Sequence, residues 1–265
     1  MKLCFSTLGC ADRSLEEIIS TAKKYNISAL EIRGVGGVLD NARIPEFASD
    51  TREETLTRFH SSGIRPTVLG TSCSFHNADR FDRALKEGEL SVKIAEDLNI
   101  PHIRVFGDKI ESPVSIDRVI CGLSHLCAIS DRVNILLEVH GDFNTAEALS
   151  PVIEKMSDIR NFGLIWDIEH THKTYNNGWV EFYSFARPYI KHVHVKDYSD
   201  SGKCLSLIGR GDIPIIPIVK RMLNDGYDGY FSLEWEKQWH PELPDVEAAL
   251  DGFISLMNGV RTNGR

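Results

Sequence analysis

Four stretches in the second half of the chain carry side chains able to hold a metal ion or move a proton. They read Leu137-Glu138-Val139-His140, Trp166-Asp167-Ile168-Glu169-His170, Lys191-His192-Val193-His194-Val195-Lys196-Asp197 and Ser232-Leu233-Glu234-Trp235-Glu236. In an extended strand, successive side chains point to opposite faces. Glu138 and His140 then share a face opposed to Leu137 and Val139. His192, His194 and Lys196 oppose Val193 and Val195, and Ser232, Glu234 and Glu236 oppose Leu233 and Trp235. Gathering several carboxylates and imidazoles on one buried face is costly unless something neutralises them. A divalent cation does so directly. Glu138, Asp167, Glu234 and His194 give three carboxylates and one imidazole. This oxygen-rich set suits Mn²⁺, Mg²⁺ or Co²⁺ better than a sulfur-rich zinc site, with Zn²⁺ as an alternative. Open coordination positions on such an ion would take two adjacent substrate oxygens.

The elements that position these groups are legible as short apolar runs alternating with segments of helical period. The runs are Leu3 to Phe5, Ala29 to Ile32, Ile64 to Leu69, His102 to Phe106, Asn134 to Val139, Phe162 to Trp166, Ile190 to Val195 and Tyr230 to Trp235. Helices are expected near 14–25, 51–61, 79–98, 114–130, 145–156, 179–186, 215–224 and 245–257. Ser14 with Glu17 three residues on is a capping-box pattern, and Gly63 is a natural stop for the second helix. Strict alternation of this kind implies a parallel sheet covered by helices. Eight repeats in 265 residues suit closure into an α/β (β/α)₈ TIM barrel, read as a single domain over 1–265. In a barrel the C-terminal strand ends form the active face, and the chemical residues stand there. A lone glutamate at a strand end is usually a salt bridge, and His-x-His often marks a half-exposed strand. Barrel strands have no solvent face, however, and four such groups on four successive strand ends favour a shared ion.

The bulk properties narrow the partners. Hydrophobic residues make up 42%, and the formal net charge is -8, which disfavours broad nucleic-acid binding. Cys4, Cys10, Cys73, Cys121, Cys127 and Cys204 form no C-x-x-C pair, so reduced thiols in a reducing compartment are expected. The first ten residues are too short and polar for a secretory signal, and no run of about 18 apolar residues occurs. A cytoplasmic protein with no membrane partner is expected, and a homodimer or homotetramer is left open. Gly34-Val35-Gly36-Gly37 lacks the dinucleotide-binding spacing and reads as a loop.

At these residues the chain resembles the xylose isomerase-like TIM-barrel superfamily, which holds sugar isomerases and epimerases, inosose dehydratases and isomerases, hydroxypyruvate isomerases and endonuclease IV. The resemblance extends from Phe5-Ser6-Thr7 to the last helix. It rests on the four stretches above, on Gly209-Arg210-Gly211-Asp212 and on Gly226-Tyr227-Asp228-Gly229-Tyr230. It implies metal ligation by Glu138, Asp167, His194 and Glu234, and substrate contacts from His170 and His140. Lys196 and Arg210 are further candidates for substrate hydroxyl or carbonyl groups. They have equal alternatives as a surface lysine and a loop arginine paired with Asp212. Arg33, Glu31 and Arg104 are weaker candidates that would otherwise form structural ion pairs. His76 is a loop histidine without an assigned role.

The implied chemistry is isomerisation or epimerisation of a ketose, inosose or related sugar through an enediolate, with Glu138 and Glu234 exchanging the proton. A metal-dependent dehydratase acting on an inosose- or dehydroshikimate-like substrate is the nearest rival. An endonuclease IV-like enzyme, which needs about twice as many ligands, and a non-catalytic binding barrel are more distant ones. The loop Glu236 to Pro241 is unusually rich in charge and tryptophan, and Trp239 would either stack on a sugar face or pack at a subunit contact.

Overall fold

The computed structural model describes residues 1–175 and 178–262. Eight parallel strands close into a barrel: β1 (Lys2–Ser6), β2 (Ala29–Ile32), β3 (Arg65–Ser74), β4 (His102–Phe106), β5 (Asn134–Glu138), β6 (Phe162–Asp167), β7 (Ile190–Val195) and β10 (Tyr230–Leu233). Each pairs with its sequence neighbour in the barrel, and β10 closes the ring against β1 with Lys2 opposite Tyr230 and Phe5 opposite Leu233. The (β/α)₈ expectation is met. A two-stranded hairpin, β8 (Asp197–Ser199) with β9 (Cys204–Ser206), stands apart from the barrel. Its strands are three residues each, too short for a periodicity to show in the sequence.

The helices are α1 (Leu15–Lys24), α2 (Arg52–Ser62), α3 (Phe81–Asp97), α4 (Pro113–Ile129), α5 (Ala146–Met156), α6 (Ile168–Tyr175), α7 (Trp179–Ala186), α8 (Ile215–Asn224) and α9 (Val246–Thr262). The Ser14 box forms: its hydroxyl accepts from Glu17 N while the Glu17 carboxylate accepts from Ser14 N at 2.9 Å. Gly63 ends α2 in the left-handed region, at φ 72°, where a Cβ would be strained. Helix α6 is the one element the alternation misreads. The segment Asp167-Ile168-Glu169-His170 continues the polar–apolar pattern of a strand, but the chain turns into a helix at Ile168.

The apolar faces of the strands pack outward under the helices. Leu137, Val139, Trp166, Val193, Val195, Phe231, Leu233 and Trp235 are all buried there. Trp166 stacks on Tyr183 of α7 at 5.3 Å between centroids. Val68, Leu136 and Ile165 form a separate small apolar cluster, and alternation places them one step below the charged residues inside the barrel. Arg13 clamps Glu247 of α9 through two bonds of 2.7 and 2.9 Å, tying the first repeat to the last. All six cysteines are free. No helix among the described residues is long and apolar enough to cross a membrane.

Because the capping box satisfies two backbone or hydroxyl donors at the entry to α1, Ser14→Ala should cost about 1 kcal/mol of stability. A lowered urea midpoint with an unchanged slope would show it; an unchanged midpoint would contradict it.

Candidate metal centre

Register brings the candidate residues together. Asp167 ends β6 opposite His194 of β7, and Ser232 of β10 lies opposite His194 on the other side. A register shift between Leu164 and Ile165 sets the first pairing. Glu138, on β5, is opposite Ile165. One ligand atom from each of Glu138, Asp167, His194 and Glu234 lies within 4.8 Å of all the others, and all four residues are buried. Two ligands on opposite sides of an ion with bonds of about 2.2 Å would be about 4.4 Å apart, so the spacing suits one cation.

The histidine is aimed. His194 Nε2 hydrogen-bonds Glu31 at 3.0 and 3.1 Å. An ionised carboxylate only accepts, so Nε2 carries the hydrogen and Nδ1 is left to face the cluster. That Nδ1 is buried without a hydrogen-bond partner, 3.1 Å from Glu234 Oε2 and 3.8 Å from Glu138 Oε1 and Asp167 Oδ2. An orphaned imidazole nitrogen facing three carboxylates is a donor set that fits a divalent cation. Glu31 also accepts from His192 Nε2 at 3.0 Å and Ser232 Oγ at 2.9 Å, so three residues fix its own position.

Asp167 serves two elements at once. Its Oδ1 accepts from the backbone N of Glu169 at 2.8 Å and of His170 at 3.3 Å, capping α6, while Oδ2 faces the cluster. An aspartate at the end of an apolar run is a helix-start signal, and this one was readable in the sequence.

Cations surround the carboxylates. Lys196 Nζ lies 2.8 Å from Asp167 Oδ2, 2.7 Å from Glu234 Oε2 and 2.5 Å from Glu236 Oε1. Arg104 Nη1 lies 3.1 Å from Glu138 Oε2 and 3.4 Å from Glu234 Oε1. Burial pushes all these carboxyls up, but the neighbouring positive groups outweigh it. Asp167 is held well below the usual range by Lys196 and His170, and Glu31 likewise by His194 and His192. Glu138 is lowered by Arg104, and Glu234 by His194 and Lys196. Burial opposes the charged form of His194, yet Glu234, Glu31 and Glu138 raise it well above an ordinary imidazole, so without an ion Nδ1 holds a proton that a bound cation would displace.

The remaining expected residues divide. His140 lines the cleft outside the cluster, its ring 4.5 Å from that of His170, and burial lowers its pKa. His170 sits in the first turn of α6, half-buried, 3.8 Å from Asp167 Oδ2. Lys196 is not a surface lysine: it is buried, and its ammonium pairs with three carboxylates. Arg210 is exposed, outside the residues lining the cleft, and Asp212 accepts instead from Asp200 N at 2.8 Å. Among the described residues Arg210 therefore does not form the expected pair with Asp212, and its side chain is left exposed. Glu31 and Arg104 pair with residues far away in sequence, whereas Arg33 bonds the nearer Leu39 and Ser72. Glu31 lies within β2, and its two histidines are 161 and 163 positions away. His76 contacts Ser74 Oγ at 2.9 Å.

The cleft over the cluster has a volume of about 410 Å³, and Leu8, Phe106, Glu138, His140, Glu234, Glu236 and Trp239 are among its walls. A larger cavity of about 610 Å³ opens among the N-terminal strand ends, but none of the candidate ligands line it. Two other groups also come within ion-binding distance, Glu31 with His192 and His194, and Asp167 with Glu169 and His170. In the first, both Nε2 atoms already bond Glu31; in the second, Glu169 is paired with Lys173.

A closed parallel barrel with a carboxylate–imidazole cluster at its C-terminal strand ends defines a TIM-barrel protein with a candidate metal centre. The chain belongs to the xylose isomerase-like TIM barrel family, whose profile matches residues 19–256. No protein of curated function matches its sequence. Among solved structures it is similar to the probable 3-DHS dehydratase AsbF of Bacillus anthracis, with TM-score 0.80 and 16% identity, covering 97% of this chain and 99% of that one. It is also similar to the IOLI protein with a bound zinc atom (TM-score 0.77, 20% identity, 98% of each chain). A third likeness is to the 3-keto-D-glucoside 4-epimerase YcjR of E. coli (TM-score 0.74, 16% identity, 97% and 99% of the chains). At these identities the likeness is one of fold, and it spans dehydratase and epimerase alike.

Two outcomes are expected from this geometry. In Glu31→Gln the amide nitrogen would donate toward a histidine Nε2 and move the hydrogen to Nδ1, so Mn²⁺ affinity should fall by about 10–100-fold in calorimetric titration. Unchanged affinity would mean that Glu31 does not orient His194. The depressed carboxyls contribute stability that is present above their unfolded pKa of about 4 and is lost as pH falls through the folded values. Urea stability of the ion-free protein should drop on going from about pH 5 to about pH 3, and Asp167→Asn should flatten that dependence.

Proposed function

We propose that the protein is a divalent-metal-dependent isomerase or epimerase acting on a ketose, inosose or related sugar. The observation that carries this reading is the convergence of Glu138 and Glu234 with Asp167 and His194 Nδ1 in one buried cluster that opens onto a cleft. In this reading those four residues hold the ion. When bound, the ion supplies positive charge that stabilises negative charge developing on substrate oxygens.

The protein's own groups do the rest. Arg104 lies between Glu138 and Glu234 and keeps Glu138 ionised, while His194 and Lys196 do the same for Glu234, so both are in the form that accepts a proton. Either carboxylate would take the proton from the carbon next to a substrate carbonyl, giving an enediolate, and the other would return one. Return to the same carbon from the other side is epimerisation, and return to the neighbouring carbon is isomerisation. His170 would orient or protonate a substrate oxygen, and His140, edge to face with it, would contact the substrate. Leu8 and Phe106 offer apolar wall, and Trp239, 53% exposed at the rim, offers a ring face to the sugar.

The same two imidazoles support a second reading. Proton removal followed by protonation of a hydroxyl β to the carbonyl expels water, and in that reading His170, 3.8 Å from Asp167, would be the acid. Product NMR separates the readings, and dehydration also creates a conjugated ultraviolet absorbance.

The test combines metal analysis of the purified protein with a screen of ketoses, inososes and hydroxypyruvate. Bound divalent metal and an isomerised or epimerised product are expected. Glu138→Gln and Glu234→Gln should each lower turnover by at least about 100-fold. Near-wild-type turnover in either variant would remove that residue from the proton transfer.

A further inference from the structure

Two guanidinium groups line the cleft, and they are not equivalent. Arg104 is matched by Glu138 and Glu234. Arg33 is 5% exposed and donates only to neutral acceptors, through Nη1 to Leu39 O at 3.0 Å and Nη2 to Ser72 Oγ at 2.9 Å. No carboxylate pairs with it among the described residues. The nearby Glu87 instead accepts from Ser72 N at 2.6 Å. A guanidinium stays protonated in proteins, and a buried cation with no anion in contact is expensive; Glu87, Glu234 and Glu138 act on Arg33 only from farther away, and burial and Arg104 oppose its charge.

The fold nevertheless prepares a place for it. Arg33 N donates to Thr7 Oγ1 at 2.8 Å, and Thr7 Oγ1 donates to Gly34 O at 2.7 Å, pinning the backbone on both sides of the residue. A Cβ at Gly70 would lie 2.6 Å from Arg33 Cδ, so the side chain runs through space left by a missing side chain on β3. Holding the loop at Leu39 needs one neutral donor and does not explain a full charge. Resting on the reading of the site given above, we propose that Arg33 anchors an oxyanion of the substrate, a carboxylate or a phosphate, within the cleft.

This sets the substrate class: a small polyhydroxy compound with an acidic substituent, rather than a neutral sugar. The planar fork of Arg33 still has N–H groups to give such an oxyanion, and charge-assisted bonds of this kind are about twice as strong as neutral ones. A neutral polyol in the cleft would leave the guanidinium unmatched.

Calorimetric titration of the full chain with D-glucitol, D-gluconate and D-glucitol 6-phosphate tests this, on protein loaded with Mn²⁺ and on protein treated with EDTA. At least one anion should bind at least about tenfold more tightly than D-glucitol. The arm that shows the gain tells carboxylate from phosphate. Arg33→Met should erase the gain and Arg33→Lys should retain part of it. Equal binding of all three probes by the wild-type protein, undetectable binding included, overturns the proposal. So does an anion preference that survives Arg33→Met, which would point to the metal as the anchor. If Arg33→Met fails to fold, the wild-type comparison and Arg33→Lys decide. Titration with Mn²⁺ alone reports separately on the metal centre, so its failure is distinguishable from a failure of Arg33.

Discussion

Confining like charge sets the design of the barrel mouth. Glu31, Glu138, Asp167 and Glu234 are all buried, and carboxylates so close would repel one another strongly if nothing positive stood between them. The structure answers with Lys196, Arg104 and the imidazole of His194, each in contact with two or more of these acids. Positive charge is thus distributed around the cluster, and the carboxylates stay ionised and oriented despite burial. The arrangement is costly to fold, since buried ion pairs rarely repay their desolvation.

Rigidity follows from where these groups are attached. Glu138, Asp167 and His194 stand on barrel strands, and Glu234 follows β10 directly, with its backbone N donating to Val195 O of β7 at 3.2 Å. Outward-facing Val193, Val195 and Leu233 lock these strands under the helices, so the apolar half of each alternating pattern holds the polar half in place. Asp197 extends the same logic into the following loop. Its carboxylate accepts from Gly209 N at 2.8 Å and Gly211 N at 2.9 Å, and a side chain at position 211 would collide with it. The walls of the cleft, by contrast, come largely from loops such as the one carrying Trp239.

The sequence shows these two layers unequally. Alternation identified the barrel strands and assigned Glu138, His194 and Glu234 to the inner face, because a one-residue step decides the side and the apolar partners leave no doubt. It failed at Ile168, where the pattern of a strand ran on into a helix that only the cap on Asp167 betrays. It also undervalued Glu31 and Arg33. Both lie in an otherwise apolar stretch of the first half of the chain, and their roles arise only when β2 meets β7 across the barrel interior or when Gly70 makes room. The glycines around Arg210 have a structural task that the sequence did not show: they make room and supply N–H groups for Asp197.

Glu31 shows why the long-range contacts matter for chemistry as well as for stability. A histidine has two nitrogens, and only the hydrogen bond at one decides what the other can do. By taking Nε2, Glu31 commits Nδ1 to the cluster, and by bonding His192 and Ser232 as well it cannot turn away from that task. The cluster is therefore specified from beneath, by a carboxylate that need never touch a substrate. His140, Arg33 and Trp239 lie above it along the cleft. A barrel organised in this way separates a floor whose charges are fixed by contacts between strands from the loop residues that line the cleft over it, and the fold itself is one shared by a dehydratase and an epimerase.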